Sequence, residues 1–206
     1  MIIYMSKIVC ITNRMLCKDH FINRMQSIIA CKPKAVILRE KDLSPQEYYL
    51  LAKQLLAMCQ HYDVTCIFHN HVDVAQGLNH HAIHLPLPLL RSLTPSKRKA
   101  FSLLGTSCHS LEEAVEAENL GCTYIIVGHI FQTDCKKDLP PKGLDILQQI
   151  CERVTIPVWA IGGLHYHNIS QVYKAGATVG CIMSDLMTCI SPKDYFKQLP
   201  EINESL

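Results

Sequence analysis

Short, continuously apolar runs alternate with amphipathic segments along the whole of this 206-residue chain. Runs of this kind, rich in Val, Ile and other strand-forming residues, are typical of β-strands. Eight strands are predicted, at 7–11, 35–39, 65–69, 82–85, 102–105, 124–127, 157–161 and 179–183. Because the runs are apolar at successive positions, they suit parallel strands that are buried on both faces of a sheet.

Helices are predicted between these strands. The clearest covers 44–62, where Ser44 is an N-cap, Pro45 suits the first helical position and Glu47 completes a capping box. Ser110 begins a second helix in the same way, and Gly121 ends it as a C-terminal glycine. Further helices are predicted at 21–31, 73–78, 143–154, 168–175 and 192–199. The segment 86–100 contains three prolines and can hold only short helical pieces.

The number and order of these units predict the fold. Eight strand–helix units fit into about 200 residues without a linker rich in Pro, Gly or Ser. This pattern predicts an α/β protein with a single (β/α)8 TIM-barrel domain spanning 1–206. A doubly wound open sheet is the alternative on pattern alone. In a barrel, functional residues lie on the loops that follow the strands.

Composition and charge exclude several classes of function. A net charge of +2, with no dense basic run beyond Lys97-Arg98-Lys99, is a poor match to a nucleic-acid-binding protein. The 11 cysteines are odd in number and form no CxxC pair, which favours reduced thiols over a disulfide framework. No signal peptide and no apolar run of membrane-spanning length is present, so we expect a cytoplasmic protein that does not bind membranes.

One titratable side chain stands directly after an apolar strand. His129 follows the run Tyr-Ile-Ile-Val-Gly at 124–128, at the predicted mouth of the barrel. An imidazole with a pKa near 6.5 suits proton transfer at neutral pH, which favours a general acid or base. The alternative is a structural histidine whose hydrogen bonds are all satisfied.

The last two strand ends are candidates for binding an anion. Gly162-Gly163 follows the seventh strand and Met183-Ser184 follows the eighth, where bare backbone N–H groups can cradle a phosphate. A tight turn is the other interpretation of the glycine pair. Three cations at the same rim could add donors to an anion, although each alone is more often a surface charge: Arg39, Lys41 and Lys136.

A group of histidines near the third and fourth strands invites comparison with a metal site. His69 and His71 share one strand face, and His81 and His84 follow. Asp73 is the one acidic residue close to the pair in sequence. We therefore do not expect a metal ion here.

Five segments of the chain, in the same order, resemble the thiamine phosphate synthase/TenI family, whose members are (β/α)8 barrels. They read LREKDLS at 38–44, SCHSLEEA at 107–114, VGHIFQT at 127–133, IPVWAIGG at 156–163 and AGA at 175–177. The resemblance covers most of the chain. It implies a small phosphorylated thiazole as substrate.

Departures from the family pattern indicate which branch of the family this chain resembles. Synthases of the family join a hydroxymethylpyrimidine diphosphate to a thiazole phosphate and use Mg²⁺ to neutralise the diphosphate. They typically have Asn-Asp after the third strand and an acidic run after the fourth, where this chain has Asn70-His71 and HLPLPL at 84–89. Ile37 also stands where synthases have a polar Gln. Because Mg²⁺ prefers carboxylate oxygen, we expect no metal ion, and no organic cofactor is implied.

The pair Gly128-His129 replaces the Gly-Pro of synthases and resembles the TenI branch, the thiazole tautomerases. The resemblance implies an isomerase of thiamine biosynthesis that aromatises the carboxylated thiazole phosphate tautomer, with His129 as base and then acid. A thiamine phosphate synthase is one alternative. A non-catalytic regulatory barrel of the TenI type is another, favoured by Asp185, whose carboxylate would repel a phosphate beside Ser184.

The resemblance also assigns site residues. It implies that Thr133 and Cys135 line the thiazole pocket and that backbone groups of Gly162, Gly163, Met183 and Ser184 hold the phosphate. The side that takes the pyrimidine diphosphate in synthases corresponds here to Arg39, Lys41, Asn70, Ser107 and Lys136. Family members often dimerise, so a homodimer is a further expectation.

Overall fold

Eight parallel strands close into a barrel in the computed structural model, which describes residues 7–200 apart from the side chain of Cys135. The strands are β1 (Ile8–Ile11), β2 (Ala35–Leu38), β3 (Thr65–His69), β4 (Ala82–Pro86), β5 (Leu103–Cys108), β6 (Tyr124–Gly128), β7 (Val158–Ile161) and β8 (Val179–Ile182). Each strand pairs with its neighbours in chain order, and β8 closes the barrel on β1. The predicted (β/α)8 barrel is confirmed, whereas a domain spanning 1–206 stays a prediction.

Helices surround the barrel in the order that the sequence predicts. They are α1 (Phe21–Ala30), α2 (Pro45–Tyr62), α3 (Val72–Gly77), α4 (Leu87–Ser92), α5 (Pro95–Lys99), α6 (Leu111–Asn119), α7 (Gly143–Arg153), α8 (Ile169–Lys174), α9 (Ser184–Thr188) and α10 (Pro192–Lys197). Two short 3-10 turns cover Arg14–Leu16 and Asp134–Lys136. The capping box between Ser44 and Glu47 is present, and the segment 86–100 holds two short helices. In the part of the chain described, no helix is long and apolar enough to cross a membrane.

Two elements differ from the sequence-based prediction. Strand β5 runs to Cys108 rather than ending at Gly105, because it pairs with both neighbours over its polar end. Thr106 is fully buried there and donates a hydrogen bond to the carbonyl of Leu85 at 2.7 Å. Ser107 therefore lies on the strand and not in the following loop. Helix α9, directly after β8, was not predicted.

The strands separate two buried layers. One set of side chains packs outward against the helices, and the other fills the barrel interior. Inside, Tyr124 stacks on Trp159 with ring centroids 3.9 Å apart. Gly105 leaves the space that the Tyr124 ring occupies, since a Cβ at this position would overlap the ring. The interior is thus a packed core, and function is confined to its ends.

We predict that Gly105→Ala destabilises the barrel by about 1–3 kcal/mol, because the added methyl forces Tyr124 out of its stacked position. Gly77→Ala at the end of α3 is the matched control, since no atom lies within 4 Å of its added Cβ. Urea unfolding followed through the single tryptophan, Trp159, measures both variants. Equal stability of the two variants would contradict this account of the interior.

Candidate functional site

A buried carboxylate joins the ends of β1 and β2. The side chain of Glu40, 1% exposed, accepts hydrogen bonds from the Thr12 hydroxyl at 2.6 Å and from the Arg14 backbone N–H at 3.1 Å. The Arg14 guanidinium lies 3.2 Å from Glu40 and 2.6 Å from Asp42. These bonds, first those to Asp42, raise the pKa of Arg14. The acidic groups of this loop are therefore already occupied by Arg14.

The cations of this loop, and Lys136 in the loop after β6, are not paired in this way. Within residues 7–200, no carboxylate forms an ion pair with Arg39, Lys41 or Lys136. The positive charge of Arg39, followed by burial and by the charge of Lys136, lowers the pKa of Lys41. Because this effect requires proximity, the three cations predicted for the diphosphate side lie in one region.

Two buried histidines, both uncharged, lie beside these cations. His69 and His84 are partners across β3 and β4, with ring centroids 5.9 Å apart. The Nε2 of His84 lies 2.9 Å from the Ser107 hydroxyl, and its Nδ1 lies 3.1 Å from that of Tyr124. Burial, together with the charge of Arg39, lowers the pKa of His69 to about 3. Burial also lowers the pKa of His84 well below its usual value, so both rings are neutral at neutral pH.

Directly after His69, at the same end of β3, the chain turns sharply at Asn70, whose φ of +70° is a conformation that Asn tolerates better than most residues. The next residue, His71, stacks on the ring of Tyr48 at 4.0 Å. Tyr48 in turn donates to the carbonyl of Leu38 at 2.7 Å and accepts from the N–H of His69 at 2.9 Å. Over the described range, no three His, Cys, Asp or Glu side chains are grouped to hold a metal ion.

His129 lies at the mouth of β6, as the sequence predicts, but it is only 5% exposed. Its Nε2 is 3.2 Å from the carbonyl of Leu139, so this nitrogen carries the hydrogen. Its own carbonyl accepts from the backbone N–H of Lys142 at 2.8 Å. Both contacts fasten the segment 134–142, which carries Lys136, to the end of β6. The structure thus gives His129 a structural task in addition to any chemical one.

The glycine pair after β7 lies directly under the loop that follows β6. Gly162 and Gly163 have φ values of +103° and +63°. A Cβ on Gly162 would overlap the Cβ of His129, and one on Gly163 would overlap the backbone of Gln132. The N–H of Phe131 donates to the carbonyl of Gly162 at 3.0 Å. Close packing of two loops therefore accounts for both glycines, and their phosphate-binding role stays a prediction.

The carboxylate of Asp185 has partners of its own. Its Oδ2 accepts a hydrogen bond from the Tyr195 hydroxyl at 2.7 Å and lies 2.7 Å from Nδ1 of His165. Asp185 belongs to α9, which begins at Ser184 directly after Met183. Asp185 thus has hydrogen-bond partners within the fold, and a phosphate site beside it stays a prediction.

Thr133 and Cys135 belong to the loop after β6. Thr133 precedes the 3-10 turn Asp134–Lys136, and its carbonyl accepts from the N–H of Lys136 at 3.1 Å. The side chain of Cys135 lies outside what the structure describes, so its predicted place in the pocket stays a prediction.

Several residues that shape the site were missed from the sequence. Glu40 follows closely after the apolar run of β2, and this position at a strand end was the signal for it. No sequence pattern indicates Thr12 or Arg14 as its partners. Likewise, His165 and Asp185 are 20 positions apart in the sequence, and they meet because β7 and β8 are neighbouring strands.

Comparisons with known proteins agree on one family. A model of the thiamine monophosphate synthase family (TMP-TENI) matches residues 8–186. A putative thiamine-phosphate synthase 2 of Aquifex aeolicus is 34% identical over 84% of this chain and 93% of its own length. A thiamine-phosphate synthase of Halalkalibacterium halodurans is 38% identical over 73% of this chain and 72% of its own. The structure of a thiamine phosphate pyrophosphorylase from Pyrococcus furiosus superposes with a TM-score of 0.81 at 28% identity, covering 93% and 92% of the two chains.

These comparisons overturn part of the interpretation from sequence. The relatives are named as synthases, and nothing points to the TenI branch specifically. The interpretation as a thiazole tautomerase, and with it the isomerase class, is therefore wrong. The tautomerase interpretation relied on the pair Gly128-His129, whereas the similarity to synthases extends over the whole barrel.

We predict that the neutral histidines make stability depend on pH in a defined window. Between a folded pKa of about 3 and an unfolded value of 6.5, His69 is protonated only in the unfolded chain. Unfolding then takes up a proton, so the free energy of unfolding falls as the pH falls through this window. His69→Asn should reduce this slope by about 1.4 kcal/mol per pH unit, measured by urea unfolding between about pH 4 and 6. Identical slopes for both proteins would show that His69 is protonated in the folded barrel.

Proposed function

Because this chain belongs to the thiamine monophosphate synthase family, we propose that it is a transferase that joins a hydroxymethylpyrimidine diphosphate to a thiazole phosphate. The observation that carries the proposal is that three cations, Arg39, Lys41 and Lys136, lie close enough for the charges of Arg39 and Lys136 to lower the pKa of Lys41. We assign a second anion region, for the thiazole phosphate, to the backbone of the β7 and β8 loops. Two phosphorylated substrates need two such regions.

The reaction places distinct demands on these regions. The diphosphate leaves with the electron pair of its C–O bond, while the thiazole ring nitrogen supplies the pair for the new bond to the pyrimidine methylene carbon. Fixed positive charge near the departing diphosphate stabilises the negative charge that develops there. Arg39, Lys41 and Lys136 are the residues we assign to this task. On the opposite side, backbone N–H groups around Gly163 and Ser184 are assigned to the thiazole phosphate.

A Mg²⁺ ion, implied by the resemblance to synthases, does not fit the residues present. Mg²⁺ binds through carboxylate oxygens, usually with substrate phosphates. The two positions that are acidic in synthases hold His71, which stacks on Tyr48, and Leu89. The nearby carboxylate of Glu40 is bound by Thr12 and Arg14. The chain's own cations are therefore the source of positive charge that we assign to the diphosphate.

The proposal is tested with purified protein and both substrates. We expect equal amounts of the joined product and of inorganic pyrophosphate. Arg39→Gln should lower kcat/KM by roughly tenfold to a hundredfold, since it removes a charged donor to the diphosphate. Lys34→Gln is the control, because Lys34 is exposed just before β2, at the opposite end of the strand that Arg39 follows. Pyrophosphate release without joined product, or no reaction at all, would contradict the proposal.

His129 has a positioning role in this proposal, through the segment that carries Lys136. We predict that His129→Ala raises the KM for the pyrimidine diphosphate roughly tenfold or more and changes kcat less, because a loosened segment holds Lys136 less firmly. His129→Gln keeps a donor that can reach the Leu139 carbonyl and should restore most of the loss. Steady-state kinetics measure both variants. A collapse of kcat at unchanged KM in both would instead indicate a direct chemical role for the imidazole.

A further inference from the structure

We propose that this barrel binds a diphosphate without any divalent cation, using Arg39, Lys41 and Lys136 in place of a metal ion. The inference rests on the proposed function for its physiological ligand, but it concerns a property of the site itself. It means that the diphosphate subsite of this chain works by direct contact between phosphate oxygens and side-chain donors.

The arrangement of charges on the 39–42 segment is the first support. Glu40 and Asp42 are both committed to Arg14, at 3.2 Å and 2.6 Å. Arg39 and Lys41, the intervening residues, form no ion pair among residues 7–200. A divalent cation would thus meet bare positive charge and no free carboxylate on this segment. The negative charge of a diphosphate, by contrast, is attracted by these two cations.

Repulsion on Lys41 is the second support. The charge of Arg39, followed by burial and by the charge of Lys136, lowers the pKa of Lys41, so the charged form of Lys41 is disfavoured when no anion is present. A bound polyanion relieves this repulsion and gains charge-assisted hydrogen bonds, which Arg can form in pairs with two phosphate oxygens. The cluster therefore favours an anion of high charge over a monoanion.

The histidines beside the cluster are the third support. Burial is the main cause that lowers the pKa of His69 and of His84, and the charge of Arg39 contributes to both shifts. Both nitrogens of His84 are already within hydrogen-bond distance of Ser107 and Tyr124. His84 is thus unavailable as a metal ligand in this arrangement.

The test is isothermal titration with inorganic pyrophosphate, in buffer with EDTA and in buffer with MgCl₂. We expect binding in EDTA with a Kd less than tenfold weaker than in MgCl₂. Lys41→Gln should weaken binding in EDTA about tenfold, as expected for loss of a charged donor. Lys34→Gln, which removes the same charge from the exposed opposite end of the barrel, should leave the Kd unchanged. Because Lys41 is exposed, its substitution leaves the folded core intact.

Three results would overturn the inference. They are binding that is tenfold or more tighter with Mg²⁺, the absence of pyrophosphate binding in both buffers, and an equal loss in Lys41→Gln and Lys34→Gln. The proposed function fails separately. If no joined product forms but pyrophosphate binds in EDTA as expected, the transferase proposal is wrong and the metal-free subsite stands. If joined product forms only with Mg²⁺, the transferase proposal stands and the metal-free subsite is wrong.

Discussion

The ion pair between the buried carboxylate of Glu40 and Arg14 is the interaction on which the barrel mouth depends. Glu40 follows β2 and accepts hydrogen bonds from Thr12 and Arg14, which follow β1, so it joins the two strand ends. A buried charge is tolerated only when it is paired and hydrogen-bonded, and Arg14 meets both requirements. Because Arg14 binds both Glu40 and Asp42, neither carboxylate forms an ion pair with Arg39 or Lys41. The charge of the site thus follows from a structural ion pair.

The sequence predicted the fold well because the fold depends on local signals. The capping box at Ser44 and the apolar strand runs are short-range patterns, and the structure confirms them. The polar end of β5 escaped prediction because Ser107 is held by pairing with its neighbouring strands and lies against His84, which no local pattern reveals. The glycine pair at 162–163 shows the same limit. A phosphate cradle and close packing on His129 demand the same residue, so the sequence alone could not separate them.

Neutral histidines and the cations beside them together determine the charge of the barrel mouth. Burial keeps His69 and His84 uncharged, while Arg39 and Lys41 keep their charge at the more exposed rim. In the synthase pattern, carboxylates and a metal ion would supply a positive centre at this place. Here His71 and Leu89 replace those acids, and side-chain cations supply the positive charge directly. Several residues therefore depart from the family pattern in the same direction, from a bound metal ion toward side-chain cations.

The most direct test of metal-free diphosphate binding is a crystal structure of the protein with pyrophosphate, from crystals grown in EDTA. The account predicts that the pyrophosphate oxygens lie within hydrogen-bond distance of Arg39, Lys41 and Lys136, and that Glu40 stays bound to Arg14. Pyrophosphate found only at another surface of the barrel would contradict it. So would a structure in which the anion enters this mouth only after Mn²⁺ is added and the metal is bound by protein side chains.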